Sequence, residues 1–265
     1  METIKLAKEI RKSALKMVHR ASASHIGSAL SIADIVAVLY GRIMDIDIED
    51  ENYCDRDRFV LSKGHACVAV YACLAEVGVI PKESLETYGD DFSWLMNHIS
   101  HKVEGVEFST GALGHGLSFS VGKALYGKMH NKKWHNYVVL SDGEMDEGSN
   151  WEALMFAAHH NLDNLTAIID CNNLQSLTTV EETLNIEPLM DKLIAFGCDV
   201  VEINGHDHEE IINALKYKHN SKPKVIISRS IKGKGVSFME NSVDWHYISP
   251  DKAQLEMAIK EIDNQ

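Results

Sequence analysis

Proline is scarce in this chain, 4 in 265 residues, and no Pro/Ser-rich linker, low-complexity tract or internal repeat divides it. One domain over residues 1–265 is the simplest organisation, and the length buries a core without staples. Cysteine is scarce too. Cys54, Cys67, Cys73, Cys171 and Cys198 form no CxxC pair, which argues against zinc sites and disulfide frameworks and for reduced core thiols. Basic residues are outnumbered, 26 against 39 acidic, for a net charge of −13. Phosphate backbones are bound mainly by lysine and arginine, so the balance argues against nucleic acid, and against an anionic membrane surface as well. No run approaches the ~20 apolar residues that span a bilayer. The opening METIKLAKEIRKSALKMVHRA lacks the apolar centre and cleavage site of a signal peptide, so a cytoplasmic location is expected.

What the sequence does have is alternation. Apolar positions Ile4, Ala7, Leu15 and Val18 recur at helical spacing over residues 4–22, a polar loop Ser22–Ser28 follows, and Ile32–Tyr40 reads as a second helix. The acidic stretch Asp45–Asn52 lacks the glycine and terminal glutamate of a calcium loop and reads as a solvated turn. Arg58–Ser62 is a strand, and Ala66–Val77 a helix stopped by Gly78 and Pro81. Residues 88–110 read as a long ordered loop, and Gly111–Gly116 leads into a helix ending near Met129. Beyond that, strands Tyr137–Leu140, Leu165–Asp170, Asp199–Ile203 and Lys224–Ser228 alternate with helices Ser149–His160, Leu189–Phe196 and Glu209–Tyr217. Right-handed crossovers between such strands build an α/β fold: a doubly wound, mostly parallel sheet flanked by helices.

Two strand ends carry chemistry. Asp142 follows the strand Tyr137–Leu140, and Asn172 follows Leu165–Asp170, 30 residues further on. That is the length of one strand–helix–strand unit, so both residues emerge at the same edge, where parallel sheets bind ligands. A carboxylate and an amide carbonyl are hard oxygen donors suited to magnesium or calcium. Gly143 would let a phosphate approach the backbone, and the following helix would offer amide groups and a positive dipole end. The plainer reading is that DG and NN are ordinary turn dipeptides. Dinucleotide and P-loop readings fail: no GxGxxG follows a strand, and Lys232-Gly233-Lys234-Gly235 lacks the upstream glycine and the hydroxyl residue.

The block Asp142-Gly143, Glu147-Gly148, Trp151-Glu152-Ala153, Asn164-Leu165 and Asp170-Cys171-Asn172 resembles the thiamine diphosphate signature in its transketolase form. Ser24–Ser28 is similar to that family's first histidine loop, and Leu61–Ala66 to its SxGHA strand end. His98, Ser109–Gly116, and the tail Lys232–Glu240 with Trp245-His246 follow in the family's order. The resemblance runs from about residue 10 to 250. It covers the diphosphate-binding part of a transketolase and not the pyrimidine-binding or C-terminal domains, so the chain looks like the N-terminal subunit of a split transketolase.

The resemblance implies the following roles. Asp142, Asn172 and the main-chain carbonyl of Leu174 hold Mg2+, with Ca2+ or Mn2+ as alternatives. His65, Gly111, Leu113, Gly143, Glu144 and His246 join Asp142 and Asn172 around thiamine diphosphate. His25, His65, His98 and His246 line the sugar channel, where a ring of pKa ~6.5 can pass protons. Glu147 lies toward the partner and communicates with the partner's activating glutamate; as a helix N-terminal acid it would also be stabilised by the dipole. His115 is expected just behind the site, His159, His160, His206 and His208 at the surface or in structural contacts, and Trp151 and Phe156 in the core. The implied activity is transfer of a two-carbon ketol unit from a ketose, such as a ketose phosphate, to an aldose. It requires a separate C-terminal, pyrimidine-binding subunit, and an α2β2 heterotetramer is expected.

Three positions depart from the family pattern: Ser141 for the first glycine of GDG, Ile26 after His25, and Tyr247 after His246. The last two lie near the substrate entrance and open the reading to a specialised or nucleotide-linked sugar. Competing readings are a deoxyxylulose-phosphate synthase-like or 2-oxo acid dehydrogenase-like subunit, and a degenerate scaffolding subunit. The histidine set and the Trp245-His246 tail favour transketolase over the enzymes, and retention of Asp142 and Asn172 argues against decay.

Overall fold

The computed structural model describes residues 2–46, 55–217 and 221–265. Cys54 and most of the acidic stretch Asp45–Asn52 lie outside the described residues. The chain opens on α1 (Thr3–Ala21), α2 (Ile26–Ser31) and α3 (Ala33–Val38), the last continuing into a π-helical turn, Leu39–Ile43. Strand β1 (Arg58–Leu61) leads through a 3-10 turn into α4 (Cys67–Glu76). After the long irregular stretch come α5 (Gly116–Met129), β2 (Asn136–Ser141), α6 (Gly148–His159) and β3 (Leu165–Cys171). Then follow α7 (Val180–Thr183), α8 (Leu189–Ala195), β4 (Asp199–Asn204), α9 (His208–Lys216), β5 (Lys224–Arg229) and α10 (Lys252–Asp263).

The strands form one five-stranded sheet in the order β1-β2-β3-β5-β4, and every pairing is parallel. This is the doubly wound sheet expected from the alternation. Both faces are apolar, because successive strand residues point to opposite sides. Phe59, Leu61, Tyr137, Val139, Ile168 and Ile226 join the core beneath α1, α3, α4, α9 and α10. Val60, Val138, Leu140, Ala167, Ile169 and Ile227 join the opposite core, against α5, α6 and α8.

Three local expectations are corrected. The polar loop expected over Ser22–Ser28 is shorter, since α2 already begins at Ile26. The turn is tightened by His25, whose backbone is left-handed (φ 72°) and whose N–H donates to the His246 carbonyl at 2.7 Å. The helix expected over Ile32–Tyr40 is broken at Ile32, between α2 and α3. Phe156, expected in the core, is 43% exposed on α6. Cys67, Cys73, Cys171 and Cys198 are free and buried, as expected.

Beneath the carboxyl rim of the sheet lies a buried ion pair. Lys63 Nζ, just past β1, donates to Asp170 Oδ2, near the end of β3, at 2.6 Å. Burial alone would raise the Asp170 carboxyl, but Lys63, Ser230 and Ser31 hold it below the usual carboxylate range. Removing one partner of such a pair strands the other charge in the core. Lys63→Met is therefore expected to cost about 3–5 kcal/mol of unfolding free energy in urea denaturation. A loss under about 1 kcal/mol would show that the pair does not hold the rim together.

Candidate active site

Parallel strands bring their carboxyl ends to one rim, and every strand but the edge strand β4 sends residues from that end into a cavity of about 240 Å3. Lys63 and His65 enter after β1, Ser141, Asp142 and Gly143 after β2, Asn172, Leu174, Gln175 and Ser176 after β3, and Lys232 beyond β5. His25 and Ser28 enter from α2, His98, Gly111 and Leu113 from the loop before α5, and His246 from the C-terminal tail.

The shared edge inferred for Asp142 and Asn172 is present. Ser141 pairs in register with Asp170, and the Asn173 N–H donates to Asp142 Oδ2 at 2.6 Å. Asp142 is 3% exposed and forms no ion pair among the described residues. Burial, together with Asp170 nearby, pushes its carboxyl up to about 6. Lys63 and Lys232 offset that carboxylate only in part. The Asn172 amide oxygen and the Leu174 carbonyl, the latter 3.3 Å from Lys232 Nζ, stand on the next turn of chain. One acidic and two neutral oxygens form a hard donor set that fits a divalent cation. No three His, Cys, Asp or Glu side chains gather as a metal cluster among the described residues, and this donor set is of a different kind. A Cβ added at Gly111 would meet nothing within 4 Å, so the backbone there is open to a ligand.

Four histidines roof the cavity. The His25 ring centroid lies 5.2 Å from His65, 5.7 Å from His98 and 4.9 Å from His246, and His65 lies 5.6 Å from His246. Burial, then His98 and Lys232, lowers His25 to about 4. Burial, then Lys232 and His25, lowers His246 to about 3. Burial and Lys63 hold His65 well below 6.5. These three rings are neutral at pH 7, so each can both accept and donate. Lys232 Nζ lies 3.0 Å from His246 Nδ1 and 2.8 Å from the Gln175 carbonyl. An ammonium only donates, so His246 carries its proton on Nε2.

Several expectations are corrected here. Glu144 does not line the cavity. It has no exposure, and its carboxylate accepts Ser62 Oγ and the Gly114 N–H at 2.8 Å, which turns it under the glycine-rich loop. Glu147, expected toward a partner, needs no such correction: it is exposed at the start of α6, with no capping hydrogen bond from its side chain. The helix expected directly after Gly143 is a 3-10 turn, Gly143–Asp146, and α6 begins only at Gly148. The Gly143 N–H is taken by Asp142 Oδ1 at 2.8 Å, and a Cβ there would meet the Gln175 side chain at 2.9 Å. Close approach to Gly143 therefore depends on Gln175. His115, expected behind the site, is exposed at the start of α5. His206 and His208, in contrast, are structural as expected, bonded to Asp34.

Lys63, Lys232 and Asp170 are functional neighbours that motif reading passed over. Their signal was an aspartate inside an otherwise apolar strand, Asp170, and lysines within three residues of a strand's end, Lys63 and Lys232.

A ligand cavity at the carboxyl rim of a parallel sheet defines a class: α/β domains that bind a cofactor at that edge. Within that class, the family described as transketolase, thiamine diphosphate binding domain, matches residues 3–261, and the chain belongs to it. It is 43% identical over 265 residues to an apulose-4-phosphate transketolase subunit of Phocaeicola vulgatus, covering 99% of this chain and 94% of that one. It is 38% identical over 262 residues to the 6-deoxy-6-sulfo-D-fructose transketolase subunit of a Clostridium species, covering 98% and 95%. Transketolase from Leishmania mexicana superposes with a TM-score of 0.93 at 28% identity, over 99% of this chain and 41% of that one. The chain thus spans nearly all of relatives named as subunits and about two-fifths of the solved transketolase. In family and in length it matches the relatives named as transketolase subunits.

The lowered histidines give a direct check. In the isolated chain, NMR titration is expected to find His25 half-protonated near pH 4 and His246 near pH 3. Because the unfolded rings bind protons from about pH 6.5 downward, they lower folding stability as pH falls from there toward pH 4 and 3. Midpoints between 6 and 7 would mean that the rings are neither buried nor beside a cation.

Proposed function

We propose that this chain, with a separate pyrimidine-binding subunit, transfers a two-carbon ketol unit from a ketose phosphate or a comparable modified ketose to an aldose. The single observation that carries the reading is the convergence of Asp142, Asn172 and Leu174 with His25, His65, His98 and His246 on one cavity. The relatives named for apulose 4-phosphate and for a sulfosugar support a specialised sugar over the common pentose phosphates.

Asp142, Asn172 and the Leu174 carbonyl would hold Mg2+ against the diphosphate. His65, His246 and Lys232 would donate to its oxygens, and Gly111 and Leu113 would lie along the cofactor. When bound, thiamine diphosphate supplies the electron sink that carries the two-carbon unit. His25 is neutral at pH 7 and at the mouth, so it can take the proton of the donor's C3 hydroxyl as the C2–C3 bond breaks. His98, exposed at the rim, would hold a sugar hydroxyl or anionic end. Glu147, exposed on the surface beside Gly114, would face the partner subunit. An α2β2 assembly and a cytoplasmic location complete the proposal; no helix among the described residues is long and apolar enough to cross a membrane.

The test is reconstitution. The purified chain, the pyrimidine-domain subunit of the same organism, thiamine diphosphate and Mg2+ are offered a panel of ketose phosphates and sulfo-ketoses. Ketol transfer is expected with both subunits and with neither alone; transfer by this chain alone would overturn the split. In the complex, Asp142→Ala is expected to raise the cofactor concentration for half-activity by about 100-fold or more. His25→Ala is expected to lower kcat by about 100- to 10,000-fold with little change in that concentration. Unchanged cofactor dependence in Asp142→Ala would mean that the metal assignment is wrong.

A further inference from the structure

A second buried charge cluster lies outside the cavity, and the mechanism above does not use it. Asp34, on α3, is 5% exposed. Arg11 of α1 grips it with both terminal nitrogens, Nη1 to Oδ1 at 3.0 Å and Nη2 to Oδ2 at 2.6 Å. His206 Nδ1 lies 2.7 Å from Asp34 Oδ2, and His208 Nε2 3.1 Å from Oδ1. His208 is held in turn by Thr3 Oγ1, 2.8 Å from its Nδ1.

Two of these residues have a hand left over, and both hands reach the same segment. His206 Nε2 accepts the Ile231 N–H at 2.9 Å. That bond fixes the tautomer: Nε2 offers its lone pair, so Nδ1 carries the proton and donates to Asp34. Arg11 Nε donates to the Lys234 carbonyl at 3.1 Å. The segment is thus held three residues apart, at Ile231 and at Lys234. Between the two points stands Lys232, 1% exposed, whose ammonium reaches the Gln175 carbonyl and His246. The backbone has little slack. Gly233 is left-handed (φ 82°), and a Cβ there would come within 2.2 Å of the Met239 carbonyl.

We propose that Arg11, Asp34 and His206 form a clamp that positions Lys232 in the active site. His206 is a positioning residue: it touches neither cofactor nor substrate and acts through the Ile231 amide. Asp34 orients His206 and Arg11 together, so one carboxylate sets two anchors of the Lys232 segment, beside the Gly233 N–H to the Gly27 carbonyl at 3.0 Å and the Asn241 N–H to the Lys232 carbonyl at 2.9 Å. A buried carboxylate with a bidentate arginine and two imidazoles has its lone pairs used, which makes a rigid reference point. A lysine left to itself samples many rotamers, so fixing its backbone on both sides helps to pre-place its charge. The functional consequence rests on the reading of Lys232 as a cofactor contact; the clamp itself does not.

The two parts are tested separately. Hydrogen–deuterium exchange on the full chain reads the clamp. His206→Ala is expected to speed exchange of residues 230–236 about tenfold, the loss of roughly one hydrogen bond, while β2 and β3 stay as protected as in the native chain. His206→Gln, whose amide can accept from Ile231 and donate to Asp34, is expected to restore protection. His208→Ala removes a bond to the same carboxylate but none to the segment, and is expected to leave residues 230–236 unchanged. Unchanged exchange in His206→Ala, a uniform rise across the sheet, or an equal rise in His208→Ala would each overturn the clamp. If His206→Ala does not fold, His206→Gln and His206→Asn are compared instead, the shorter amide being expected to lose the protection that the longer one keeps. In the reconstituted complex, His206→Ala is expected to raise the cofactor concentration for half-activity about tenfold with kcat at saturation within twofold. A released segment with unchanged cofactor dependence would overturn the functional link while leaving the ketol-transfer reading intact.

Discussion

Asp170 is the charge on which the site depends. It has no exposure, at the carboxyl end of the central strand β3. It accepts Lys63 Nζ from the end of β1, Ser31 Oγ from α2 at 2.7 Å, Ser230 Oγ from beyond β5, and Asn172 Nδ2 at 3.1 Å. Removing a carboxylate from water costs several kcal/mol, and only a full set of donors offsets it. Here that set ties the ends of three strands and one helix to a single point. The Asn172 amide is oriented by the same contact: its nitrogen is held by Asp170, and its oxygen, which accepts the Leu174 N–H at 3.1 Å, keeps one lone pair that could serve a ligand.

The electrostatics of the rim follow from that arrangement. Lys63 is neutralised by Asp170, whereas Lys232 rests on carbonyls and an imidazole. Burial and Lys63 together lower Lys232 to about 8. The lysines and the burial keep His25, His65 and His246 neutral. Asp142, beside Asp170, accepts backbone N–H groups from Gly143 and Asn173 and forms no ion pair among the described residues. The rim thus combines an unmatched acid, which suits a divalent cation, with cationic and N–H donors, which suit phosphate oxygens.

Much of this was legible from the residues. Apolar runs bounded by turns located all five strands, because strands buried on both faces need no polar residue. The 30-residue interval between Asp142 and Asn172 placed both on one edge, since register follows from the crossover. What stayed hidden depends on residues far apart in sequence. Lys63 and Asp170 are 107 positions apart, and neither strand alone shows that the other charge is present. The resemblance implied that Glu144 touches the cofactor; the return of Ser62 and Gly114 in space turns it inward. Histidine gave a mixed signal: His25, His65, His98 and His246 meet, whereas His206 and His208 serve Asp34 and His115 faces solvent.

The central claim is that the parallel register makes one metal site of Asp142, Asn172 and the Leu174 carbonyl. Anomalous X-ray scattering from crystals of the reconstituted complex, grown with Mn2+ and thiamine diphosphate, measures it directly. One manganese peak is expected within about 2.0–2.4 Å of oxygens from all three residues. A peak elsewhere, or manganese bound without Asp142, would contradict it.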